Sequence, residues 1–153
     1  MTSHRLWFAL DKAQSQLHAR KCTPFPTSQW AKRRVKDTTI ILSCLQPSEK
    51  LGTVIQEWLA QGPREIIIST IDRDYDNIRR IVDALKSQPD KIRVIATAVA
   101  DIRLQKVNGV GEVDSEFMLL LDDGVRPKHP ATLEYLLAPF DNGNVGAVGG
   151  PQM

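Results

Sequence analysis

Short unbroken apolar runs alternate along this chain with longer stretches striped at three- and four-residue spacing, and few folds accept that alternation. The runs are TTIILSCL (38–45), EIIIST (65–70), KIRVIAT (91–97) and EFMLLL (116–121). Each has the length of a strand and lacks polar alternation, the pattern of strands buried on both faces. The stripes between them read as helices. Ser48 is placed to cap the first, which shows Leu51, Val54, Ile55, Trp58 and Leu59 on one face and stops at Gly62 and Pro63. The second carries Ile78, Ile81, Val82 and Leu85 and closes at Pro89; a third spans 101–111. A short fourth, over 130–140, turns Leu133, Leu136, Leu137 and Phe140 inward, and VGAVGG (145–150) reads as a last strand.

Repeated strand-helix-strand units predict an α/β domain, a mostly parallel sheet with helices on both faces and right-handed crossovers. That handedness puts every strand-to-helix loop on one carboxyl edge, where open α/β sheets bind ligands. The loops gathered there bring together Asp72, Asp74, Asp122 and Asp123, with Arg103 as a nearby cation. In LLLDDGVRP (119–127) two carboxylates follow three leucines. Neighbouring ionised acids beside an apolar core repel each other and lose hydration, so they call for water, a cation or a hydrogen-bond donor. A plain turn is the simpler reading of Asp122 and Asp123, and helix-start acids that of Asp72 and Asp74. A functional cluster of this type holds a hard divalent cation that neutralises a diphosphate, while an arginine contacts phosphate with two parallel bonds.

A length of 153 residues with 42% hydrophobic and 25% charged content suits one globular domain. No run of about eighteen apolar residues occurs, so a cytoplasmic or peripheral chain without a membrane span or cleavable signal is expected. Cys22 and Cys44 have no metal-ligand spacing and are too few for a disulfide framework, which fits a reducing compartment with Cys44 packing as a small hydrophobe. No Walker or GxGxxG pattern follows the first strand, and NGVGEV (108–113) lacks both the spacing and the preceding strand. Classical NTPase and dinucleotide-binding functions are thereby excluded. His18 and His129 are isolated, and no nucleophile-base arrangement follows from spacing.

Charge divides the chain at residue 36. Residues 1–36 carry +7 and the remainder −5. Leu6, Leu10, Ala13 and Leu17 form a helical stripe widened by Trp7 and Phe8, and Pro24 and Pro26 enforce an extended linker. The cluster WAKRRVK (30–36) suits an anionic lipid surface, nucleic acid, an acidic partner or plain solvation, with no specific nucleic acid implied. A basic amphipathic arm (1–36) thus precedes the domain (37–153), free to meet a membrane surface or the missing part of a larger protein.

The segments DTTIILSCLQPSEKLGTVIQEWLAQGPREIIIST and DIRLQKVNGVGEVDSEFMLLLDDGVRPKHPATLEYLLAPFDNGNVGAVGGPQ resemble the fungal polysaccharide-synthase branch of the family-2 glycosyltransferases. These are relatives of hyaluronan, chitin and cellulose synthases, and the likeness covers about residues 22–152. It implies a GT-A (Rossmann-like) fold, a nucleotide-diphosphate sugar donor, usually a UDP-sugar, Mg²⁺ or Mn²⁺, and a membrane-bound parent enzyme with a cytosolic domain. It implies further that Leu45, Gln46 and Asp72 hold base and ribose, that Arg103 approaches the diphosphate, and that Asp122 and Asp123 are the metal ligands of the family's Asp-rich motif. Gly124 stands where that motif usually places its third acid, and Cys44 to Gln46 replace a usual Asn or Thr. The family's catalytic base and its Gln-x-x-Arg-Trp motif fall after the last residue here, so the resemblance implies the donor half of an inverting transferase, truncated or degenerate. Two other classes stand beside it: a non-catalytic α/β interaction or regulatory module, and a receiver-type phosphoacceptor domain.

Overall fold

The structure, a computed structural model, describes residues 28–85 and 88–149. The stripe over residues 1–20 and the proline linker lie outside them. Four parallel strands, β1 (Thr38–Ser43), β2 (Glu65–Ile71), β3 (Ile92–Thr97) and β4 (Phe117–Asp122), form one sheet in the order β3-β2-β1-β4. Helices α1 (Gln29–Val35), α2 (Leu51–Leu59), α3 (Asp72–Asp83), α4 (Ile102–Gly111) and α5 (Thr132–Leu137) surround it. This is the α/β, Rossmann-like arrangement expected of a GT-A fold.

Register assigns the two faces. Ile40 is level with Ile66 and Leu119, and Ile41 with Ile67 and Leu120, so each set shares one side of the sheet. The Ile40 side packs against Val35, Leu51, Trp58, Ile78 and Leu133 from α1, α2, α3 and α5. On the other side α4 lies over β1, β2 and β3. It comes close because Gly109 has no side chain; a Cβ there would sit 2.5 Å from Ile41 Cγ2.

Coverage on both faces holds for β1 and β2, whose residues are almost all buried, and fails for β4. There Met118 and Leu120 remain 52% and 45% exposed, since α4 does not extend across that edge. The unbroken apolar run of β4 therefore belongs to a half-covered edge strand. At its start, Phe117 meets Trp30 edge-on at 5.9 Å, and Arg34 lies over both rings and pairs with Glu116. Part of the basic cluster is thus a packed helix, capped by Ser28 and seated through Ala31 and Val35, while Lys32 and Arg33 stay exposed.

Other local expectations shift. Ser48 does not cap α2: its carbonyl accepts from Leu51 N in a turn, and the helix begins at Leu51 without a side-chain cap. Gly62 does close that segment, with φ +82°. Residues 145–149 form no strand and are exposed apart from half-buried Val145, and Gly146 and Gly149 have nothing within 4 Å of a built Cβ; residue 150 of the expected strand lies outside the described residues.

Candidate functional site

The order β3-β2-β1-β4 makes a topological switch between β1 and β4. From β1 the chain steps outward to β2 and β3, then returns through α4 to the opposite side of β1. Ligand crevices of open α/β sheets lie at the carboxyl ends of such a pair. Here those ends are Ser43 and Asp122, which are level in the register.

Around them the predicted residues separate into two groups. Leu45 and Gln46 leave β1 directly, Leu45 half-buried and Gln46 exposed. Asp123 is drawn to the same turn, where its Oδ2 accepts from Cys44 Sγ at 3.2 Å. Asp122 is exposed at the last position of β4. Asp72 lies farther along the edge, exposed in the first turn of α3 beyond β2. Strand spacing alone separates β2 from β4 by about 10 Å. Arg103 sits in the first turn of α4, exposed and without an ion pair among the described residues.

A cation that sequence spacing did not single out, Lys106, reaches the first of the tandem acids, its Nζ 2.9 Å from Asp122 Oδ1. Spacing concealed it: α4 turns Gln105 and Gly109 inward rather than an apolar stripe, so the sequence does not show which flank faces β4.

The turn after β4 is tied to α2. Trp58 Nε1 donates to Val125 O at 2.8 Å, and Val125 N closes the turn on Asp122 O. Arg126 grips Glu57 through one guanidinium edge, Nε and Nη2 each donating to a carboxylate oxygen, which holds the Glu57 carboxyl below its ordinary range and raises Arg126. The two acids consequently project from a fixed loop.

Burial pushes the Cys44 thiol well above its usual pKa, helped by the hydrogen bond to Asp123 and by the Asp123 and Asp74 charges. The neutral thiol is the form the fold favours, so its contribution to stability is present below the ordinary thiol pKa of about 8.5 and fades above it. In a Cys22→Ser variant, Cys44 should react with iodoacetamide at pH 8 at least about 100-fold more slowly than free cysteine, and at the free rate in urea. Fast labelling of the folded protein would contradict this packing.

Beneath the same edge, Ser43 Oγ, Ser69 Oγ and both polar atoms of Gln105 are buried without a hydrogen-bond partner in the structure. Each such group costs about 1–3 kcal/mol. Asp74 Oδ2 is similarly buried, its nearest cation being Arg73 at 3.5 Å. A charged depression at the opposite, amino edge, lined by Arg64, Glu65, Asp90, Arg93, Glu112 and Asp114, is a different kind of place. Its arginines are taken up by neighbouring acids, Arg93 by Glu65 and Glu112 and Arg64 by Asp37 and Asp114.

Several curated proteins match this chain, among them three from Aspergillus, Zymoseptoria and Gibberella. It is 34% identical over 147 residues to an NDP-glycosyltransferase, ltbB, of Aspergillus luteorubrus, an overlap of 95% of this chain and 36% of that protein. It is 34% identical over 119 residues to a type 2 glycosyltransferase of Zymoseptoria tritici, covering 76% of this chain and 24% of the relative. To a type 2 glycosyltransferase of Gibberella zeae it is 30% identical over 116 residues, 74% of this chain and 21% of the relative. The chain therefore spans about a fifth to just over a third of the curated relatives it matches. No family profile and no solved structure matches it. By sequence and by its parallel α/β sheet, this chain is a relative of the type 2 glycosyltransferases.

Proposed function

We propose that this chain is the donor-binding part of a glycosyltransferase that uses a nucleotide-diphosphate sugar, a UDP-sugar, in polysaccharide synthesis. The observation that carries the reading is the β1/β4 switch point, the expected place of a ligand crevice in such a sheet, where the Cys44 to Gln46 turn and the Asp122 and Asp123 loop come together. The name of the Aspergillus relative supports the donor class. Leu45, Gln46 and Asp72 would contact base and ribose, and Arg103 the diphosphate.

Mg²⁺ or Mn²⁺ fits the donor set on chemical grounds. Asp122 and Asp123 present hard oxygens on adjacent positions, and Gly124 leaves open space beside them, with nothing within 4 Å of a built Cβ. One or two carboxylates completed by phosphate oxygens and water is an ordinary Mg²⁺ environment. Asp122 and Asp123 would hold such a cation, and its chemistry would be to offset the charge of a departing diphosphate. No helix among the described residues is long and apolar enough to cross a membrane. Contact with a membrane surface would fall to the basic arm.

Calorimetric titration of the folded chain with UDP-sugar and Mn²⁺ should show saturable binding. The double variant Asp122→Asn, Asp123→Asn should bind about tenfold or more weakly and lose the Mn²⁺ dependence. Absence of heat with the folded wild type would reject the reading.

A further inference from the structure

Lys106 owes its position to the side of α4 that cannot move. Gly109 touches Ile41 in β1, and Gln105, one turn earlier, is fully buried toward the carboxyl end of the same face. With that line fixed inward, Lys106 leaves the helix about 100° around from Gln105, on the flank turned to β4. Its ammonium meets Asp122 there, and both side chains keep access to solvent, at 35% and 55% exposure. A ligand in the crevice can reach either partner.

A second observation marks the same spot. Ser43, the register neighbour of Asp122, together with Ser69 and Gln105, carries buried polar atoms that no described residue satisfies. At 0–1% exposure these residues are closed to a ligand; unpartnered donors and acceptors buried between α4 and the sheet mark a place for ordered solvent.

We infer that Lys106 is a second diphosphate-contacting cation of the donor site beside Arg103, paired with Asp122 here and transferred to phosphate oxygen when donor binds. The inference rests on the donor-site reading. Half-exposed ion pairs are weak and easily exchanged, whereas an ammonium facing a diphosphate gains two formal charges of attraction. Asp122, released by the same exchange, becomes available to a cation arriving with the phosphates. Arg103, three residues earlier on α4, is exposed and makes no ion pair among the described residues.

The test uses the whole 153-residue chain and two probes, UDP by calorimetry and uridine by saturation-transfer NMR, each with EDTA and with diamagnetic Mg²⁺. Lys106→Gln should lower UDP affinity about tenfold or more, leave the uridine signal unchanged, and flatten the salt dependence of UDP binding. Lys106→Arg should stay within about threefold of wild type, since the charge is kept. Equal UDP affinity in wild type and Lys106→Gln would overturn the inference while leaving the donor reading intact. Failure of wild type to bind either probe would remove both.

Discussion

Replacing Trp58 by alanine is expected to cost about 3–5 kcal/mol, the largest loss of any single truncation in this domain. The side chain is 1% exposed, stands in the main core with Leu51, Ile55 and Ile66, and spends its only polar atom on Val125 O. Truncation therefore opens a cavity and releases the turn that carries Asp122 and Asp123. Trp58→Phe separates the two effects: it keeps most of the ring and should cost about 1 kcal/mol or somewhat more through the lost hydrogen bond. Urea denaturation of the three proteins measures both differences. A loss under about 1 kcal/mol for Trp58→Ala would mean that the ring is not a core member.

Gly109→Val should destabilise by about 3 kcal/mol, at the upper end of overpacking effects. The added Cβ would stand 2.5 Å from Ile41 Cγ2, and Ile41 is itself fully buried in a strand paired on both sides. Ile41 has no open space to enter, so α4 must lift and carry Lys106 with it. Gly111→Ala is the control, because its Cβ would have nothing within 4 Å. That change should be neutral or stabilising by up to about 1 kcal/mol from helix propensity. Thermal melts that rank the two substitutions equally would show that α4 does not approach β1 as described.

Much of this architecture is legible in the sequence because the strands are extreme. The runs around Ile40, Ile67 and Val94 are short and rich in β-branched residues, and the stripes of Leu51 to Leu59 and Ile78 to Val82 have one possible inward side. The order of the strands is not legible, since β4 could join either edge until packing decides. Exposure of Met118 and Leu120 was equally hidden: an apolar strand reads the same whether or not a helix lies over it. At the site, the tandem acids announced themselves, but their partners did not. Cys44 meets Asp123 across 79 positions of chain, and Lys106 meets Asp122 through a helix whose inner line is an amide and a glycine. Neither pairing follows from any local pattern.

The bare side of β4 also shapes how this fold goes wrong. An edge strand with unpaired amides and carbonyls invites a second extended chain to bond along it, and leucine and methionine facing water make that union adhesive. Within Phe117 to Leu121 there is no proline and no charge to interrupt it. Among the described residues Glu116 and Asp122, one at each end of this run, are the charges that guard it against ribbon-like stacking of copies, so Asp122, an acid of the candidate site, also helps to keep the protein dispersed.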